Sequence, residues 1–441
     1  MRLEHLISVT TMARFTSTRQ TRGIRLAGLL VMFGWIFFWA TWGTTSSPAR
    51  GHGSAVGSPW RRPAQEATHS DGWRGAMSSA KTVPLWRLNV GALGYTPWRI
   101  REGVGTRVTI GQIHFVSDER LVVTFISRIV PERLPRRSTP EGASNLHLRG
   151  LFVDAATGGV QASHEWPTFS ERSRIVPTVG GKFVVITPDK LTLYSPEIQP
   201  LEDLDLPVKR EAVKGYWDAV PSPAGKYLMV WYDALPVGAA MKSTLIDAAS
   251  LRTVIPWAEG ANGFIPLDDG NVVASDGSAI GPLRGPWRPL DIPWGQGCEP
   301  NPLLIPVSDR VLFGGNSVSL DRWCYSLALT SGEILFEREL PSNEFVGLVG
   351  VSAGGERFAV ETYKVHGGSW LLDIGGHALV YRIKVYDIAA RRWIYALDGK
   401  KQGIKTISGL ALSPDGSLLA LIDQNGILQV YRVPATANQS Q

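Results

Sequence analysis

The stretch Leu410–Val433, LALSPDGSLLALIDQNGILQVYRV, constrains the fold more than any other. Three short apolar runs are separated by two polar turns, SPDG and DQNG. Gly supplies the positive φ of a tight hairpin, and Asp or Asn tolerates it. Three antiparallel strands of this size cannot bury both faces by themselves. The segment must therefore be one part of a larger assembly.

Its relatives are spread along the chain. SPDGSLLAL at Ser413 has counterparts in SAGGERFAV at Ser352, SPAGKYLMV at Ser222 and TVGGKFVVI at Thr178. Weaker copies are VSDERLVVT from Val116, PLDDGNVVA from Pro266 and PVSDRVLFG from Pro306. Successive copies start 40 to 62 residues apart, the spacing of propeller blades. Each copy reads as strand A, turn, strand B. A second turn, opened by Asp or Thr, joins strand C to strand D in LFVDAATGGVQ (Leu151–Gln161), TLIDAASLRTV (Thr244–Val254), LALTSGEILFE (Leu327–Glu337) and IKVYDIAARRWIYAL (Ile383–Leu397). Seven such meanders, none able to cover itself, imply radial stacking.

The A–B hairpin LSPDGSLLA and the C–D hairpin KVYDIAARRWI resemble those of β-propellers of the WD-repeat and YVTN type. The resemblance covers residues 83–434. No blade starts with the GH pair or ends with the Trp-Asp pair that mark WD repeats, so a superfamily is implied and no subfamily. The expected fold is an all-β, seven-bladed propeller. The Pro/Gly-rich fourth unit, near Gly263–Trp294, makes six and eight the neighbouring counts. A β-sandwich or β-solenoid accounts less well for the hairpin spacing. The sixteen Trp residues suit sheet-to-sheet contacts. The last unit has three strands, and VPLWRLNV, Val83–Val90, is expected to supply its missing outer strand and remove an open edge.

The 82 residues before this region are of another kind. Arg2, Arg14, Arg19, Arg22 and Arg25, opposed only by Glu4, precede the uncharged run Leu26–Gly43. A basic flank followed by 18 apolar or neutral residues reads as a signal peptide or a membrane anchor, with the rest of the chain outside the cytoplasm. Cleaved and uncleaved forms both stay open, and so do Met1 and Met12 as starts. The expected organisation is therefore 1–43 leader, 44–82 Ser/Gly/Ala/Pro-rich linker, 83–434 propeller and 435–441 tail. The leader carries +4 of the net charge of +6, so the remainder is near neutral and nucleic acid is not an expected partner.

Within a blade, the B–C and D–A loops share one face of the ring and the A–B and C–D turns share the other. Three B–C connections are long: Ser127–Asn145, Asp233–Lys242 and Tyr363–Ala378. Long loops on a rigid scaffold carry function. Arg128, Arg133, Arg136 and Arg137 make the first basic, and His366 and Trp370 lie in the third. The expectation is a scaffold that binds a protein or acidic ligand at this face, tethered to a membrane through Leu26–Gly43 if the leader is uncleaved. No catalytic residue, metal site or cofactor is assigned. The alternative is a lactonase-like or quinoprotein-like propeller enzyme with its site in the central channel. No HExxH or GxSxG motif is present; GNSVS at Gly315–Ser319 is only superficially an elbow. The channel candidates are His114, Asp218 and Glu299. Cys298 and Cys324 both follow the leader, and in an exported chain they are expected to form a disulfide.

Overall fold

The computed structural model describes residues 83–94, 98–102, 105–109, 112–128, 146–168, 170, 173–206, 217–233, 241–259, 264–274, 279–290, 298–307, 310–317, 323–329, 334–339, 344–365, 378–404, 407–423 and 425–435. Through residues 98–109 and 298–348 it describes the backbone alone, as it does at a few strand ends.

β1 (Trp86–Asn89) comes first, then a two-stranded hairpin of β2 (Trp98–Glu102) and β3 (Gly105–Thr109). Seven four-stranded antiparallel sheets follow the repeat. The first contains β4 (Ile113–Phe115), β5 (Arg120–Arg128), β6 (Leu146–Asp154) and β7 (Val160–Thr168). The second contains β8 (Arg174–Pro177), β9 (Phe183–Ile186), β10 (Lys190–Tyr194) and β11 (Pro200–Asp205). In the third are β12 (Trp217–Pro221), β13 (Tyr227–Asp233), β14 (Met241–Asp247) and β15 (Thr253–Glu259). In the fourth are β16 (Phe264–Pro266), β17 (Asn271–Ala274), β18 (Ala279–Pro282) and β19 (Arg288–Pro289). The fifth is built from β20 (Cys298–Val307), β21 (Arg310–Ser317), β22 (Trp323–Leu329) and β23 (Ile334–Glu339). The sixth is built from β24 (Glu344–Val351), β25 (Arg357–Val365), β26 (Ala378–Asp387) and β27 (Arg392–Asp398), followed by the single-turn helix α1 (Gly399–Gln402). The seventh joins β28 (Ile407–Leu412), β29 (Leu418–Asp423) and β30 (Ile427–Arg432) to β1. Six of these sheets have an outer strand of four residues or more; the fourth, the Pro/Gly-rich one, ends in the two-residue β19. Leaving that irregular sheet out gives a count of six blades.

The repeat residues explain why these hairpins form. Ser413 Oγ accepts a 2.9 Å hydrogen bond from the Leu418 amide and donates 2.6 Å to Asp415 Oδ1. Ser222 Oγ accepts from the Lys226 and Tyr227 amides, both at 3.0 Å, and Ser352 Oγ from the Arg357 amide at 3.1 Å. One hydroxyl thus satisfies donors that the A–B turn would otherwise leave orphaned in a buried position. The C–D turns use Asp in the same way. Asp154 Oδ1 accepts from the Ala156 and Thr157 amides at 3.1 and 2.8 Å, and Asp247 Oδ1 from Ala249 and Ser250 at 3.1 and 2.9 Å.

Apolar faces of adjacent sheets pack on one another and build the core from blade to blade. Phe152 of the first sheet meets Phe183 of the second at 5.3 Å between ring centroids, and each is fully buried. Burying one such side chain contributes about 1.5–3 kcal/mol. Val176, Val184 and Leu193 of the second pack with Leu228, Val230 and Ile246 of the third. Met229 and Leu245 then pack with Val272 and Leu283 of the fourth. Ile383 and Val385 of the sixth pack with Leu410, Leu419 and Tyr431 of the seventh. The ring closes where Ala420, Ile422, Leu428 and Val430 meet Ile113, Leu121, Val123 and Val153.

The expected outer strand of the last blade is present. β1 pairs antiparallel with β30, with Trp86 opposite Val430 and Asn89 opposite Ile427. A segment near residue 86 and one near residue 430 therefore share a sheet, and β1 covers the edge that β30 would otherwise leave open. The leader, the linker and residues 436–441 lie outside the described residues. Among the described residues, no helix is long and apolar enough to cross a membrane.

Candidate functional site

The B–C connections leave β5, β13 and β25 and re-enter at β6, β14 and β26. Arg128 pairs with Leu146, Asp233 with Met241, and Val365 with Ala378. All three connections therefore start from the same position in their meanders. Arg133, Arg136, Arg137, His366 and Trp370 fall within them, outside the described residues. Arg128 is described by its backbone only, as the last residue of β5.

The β2–β3 hairpin is an element that the repeat did not reveal. It sits in the connection from β1 to β4, and β2 lies near β5. That connection runs from an outer to an inner strand, so it belongs on the side of the ring from which the B–C connections leave. Its sequence signal is the alternation WRIREGVGTRVT around Gly103. Arg99 stands opposite Val108 and Arg101 opposite Thr106, so the two arginines share one face of the hairpin.

The other candidate place is the central channel. The inner strands β4, β8, β12, β24 and β28, with their A–B turns, line a cavity of about 250 Å³. Ile113, Val116, Pro177, Pro221, Val351 and Leu412 supply much of the apolar part of a wall that is otherwise polar. No described lining residue carries a carboxylate, ammonium or guanidinium. His114 on β4 lines the cavity, as its place on an inner strand led us to expect. Its Nε2 lies 3.3 Å from Gln112 Oε1. Burial, assisted by the positive charge of Arg174, brings its pKa down to about 4, so the ring is neutral at physiological pH. Arg174 Nη2 itself donates to the Ala219 carbonyl oxygen on the next inner strand. Asp218 on β12 and Glu299 on β20 keep inner-strand positions, but their side chains are outside the description. Gly315–Ser317 runs within β21 and is not a strand-to-helix elbow. Among the described residues, no group of three His, Cys, Asp or Glu is placed to hold a metal ion.

The backbone register bears on the expected disulfide. Cys298 on β20 pairs with Ser317 of β21, and Cys324 on β22 pairs with Gly315 of β21. Both sit near the same end of the fifth blade, but a whole strand runs between them. Adjacent strands are about 4.8 Å apart, so the two Cα atoms are separated by roughly 9.6 Å or more. A disulfide needs a Cα separation below about 7 Å. The intervening strand therefore argues against the expected bridge in this register.

Seven antiparallel meanders in sequence order, packed face to face and closed by a strand from the other end of the chain, decide the architecture. The chain is an all-β propeller. No family model matches the sequence, and no curated protein matches it. Similar solved structures include a chain of a mitotic checkpoint complex, 11% identical, with a TM-score of 0.42 over 81% of this chain and 98% of that one. The C-terminal WD40 domain of Sif2 is 9% identical, with a TM-score of 0.41 over 81% of this chain and 100% of that one. BamB from Moraxella catarrhalis is 11% identical, with a TM-score of 0.37 over 82% of this chain and 100% of that one. At these scores the likenesses identify no activity or partner, and the propeller assignment rests on its own sheet topology.

Proposed function

We propose that this propeller, seven-bladed with the irregular fourth sheet counted, is an exported or membrane-tethered scaffold that captures an acidic protein partner on its B–C loop face. One observation carries the reading: the three long connections, after Arg128, Asp233 and Val365, all leave the ends of second strands and thus rise from one side of the ring. Arg128, Arg133, Arg136 and Arg137 give the first connection its positive charge, and Trp370 gives the third an apolar anchor of the kind that dominates binding hot spots. The β2–β3 hairpin adds Arg99 and Arg101 on the same side. The basic flank and apolar run before Gly43 support export, with retention at the membrane if the run is kept. Capture from an envelope fraction tests the proposal. Replacing Arg136, Arg137 and Trp370 together should abolish capture of the partner with an unchanged melting temperature, and undiminished capture overturns the assignment.

A further inference from the structure

From the lining of the channel cavity we infer a binding site for a small uncharged ligand, with an apolar body and one hydrogen-bond donor that His114 accepts. This inference is independent of the loop face, because the cavity lies among the A–B turns, at the opposite end of the inner strands. Thr178, Ser222 to Gly225, Ala353 and Pro414, all residues of A–B turns, line it.

The class of ligand follows from three observations. The first is the absence of formal charge among the described lining residues. An ion brought from water into such a space loses hydration and finds no counter-charge among the described lining residues. The second is size. A dry apolar cavity of about 150 Å³ accepts a benzene-sized molecule, so a cavity of about 250 Å³ has room for a substituted ring. The third is the imidazole. The ring of His114 is packed about by protein yet keeps partial exposure, and its residue lines the cavity. With Gln112 Oε1 as the acceptor at 3.3 Å, the tautomer that satisfies this contact carries its proton on Nε2 and has the Nδ1 lone pair as acceptor. No further partner of the ring is found among the described residues. Depression of its pKa to about 4 keeps this acceptor available at neutral pH. Ser222 Oγ, the other hydroxyl with a defined role here, is already engaged by the Lys226 and Tyr227 amides. The imidazole and the Thr178 hydroxyl, which has no hydrogen-bond partner among the described residues, are therefore the side-chain groups on the described wall open to a ligand's donor, and the imidazole is the one that accepts without also donating.

The test uses the full chain, labelled with 15N at histidine, and three probes of similar shape. Phenol is uncharged and donates, anisole is uncharged and does not donate, and benzoate is charged. Phenol is expected to bind in the millimolar range and to move the His114 Nδ1 resonance. Anisole should bind several-fold more weakly and benzoate not measurably. His114→Phe should remove the preference for phenol over anisole. Val351→Trp, which fills the cavity from another strand, should exclude both while the His114 signal remains as a monitor of folding. Benzoate binding as tightly as phenol, a phenol preference that survives His114→Phe, or no phenol binding at tens of millimolar overturns the inference.

Discussion

Trp86 Nε1 donates a 2.9 Å hydrogen bond to the Ala155 carbonyl oxygen, across 69 residues of sequence. This bond ties the outer strand of the seventh blade to the C–D turn of the first, so it closes the ring on its outside as the apolar cluster closes it within. Gly158 lies against the indole: a Cβ there would come within 2.7 Å of the ring, and its φ is +76°. Trp86→Ala should lower stability by about 2–3 kcal/mol, less than a fully buried Trp because the side chain is only half-buried. Trp86→Phe keeps the ring and loses the donor, at about 1 kcal/mol. Gly158→Ala should destabilise through the same contact, by backbone strain and by displacing the indole. Deleting 83–90 removes strand and latch together and should lower the melting temperature of the whole domain. An unchanged melting curve for that deletion removes the closure from the account.

A second contact at the same seam depends on pH. The Asp415 amide donates to Asp118 Oδ1 at 2.9 Å, which joins the A–B turns of the seventh and first blades. Burial raises the Asp118 carboxyl above its ordinary value; the Asp415 amide pulls the other way, and the neighbouring Asp415 and Glu119 charges raise it further. The folded state thus holds a proton that the unfolded state releases near pH 3.9. Stability contributed by this group falls as pH rises from that value through the folded pKa, and the deficit persists above it. The Asp415 carboxyl shifts the other way: burial opposes its ionisation, but hydrogen bonds from Ser413 and Ser417 outweigh it. Asp118→Asn isolates the first effect, because the amide oxygen still accepts from Asp415. The variant should melt above the wild type at pH 7, with the difference shrinking toward pH 3. A difference independent of pH refutes the charge as its cause.

Most of the fold was legible because each turn carries its own chemistry. The Ser of SPDG, SAGG and SPAG and the Asp of VDAA, IDAA and YDIA are the atoms that bond the turn amides, so the residues that defined the repeat also build the hairpins. Strand C of the seventh blade runs Ile427–Arg432, between the DQNG turn and the end of the last unit. The β2–β3 hairpin was missed because it belongs to no blade and repeats nowhere. The channel was legible only at His114, since the inner strands that line it are apolar by the same rule that buries them. The charged loop residues have no periodicity and no local turn chemistry, so sequence assigns their character but not their arrangement. The cysteines are a different case: the sequence shows that there are two of them, whereas their lateral separation depends on how many strands lie between.

That separation makes a direct prediction about the fifth blade. With β21 between β20 and β22, Cys298 and Cys324 are expected to be two separate thiols. The denatured, non-reduced chain should take up two equivalents of a maleimide, and reductant should leave the native melting temperature unchanged. Cys298→Ser and Cys324→Ser should then affect stability independently, each by its own packing alone, since no loop is closed whose loss would cost about 3 kcal/mol. If the denatured chain takes up no maleimide and the melting temperature falls by many degrees on reduction, the two cysteines are bridged. β20 and β22 must in that case approach each other directly, and the strand order of the fifth blade has to be redrawn.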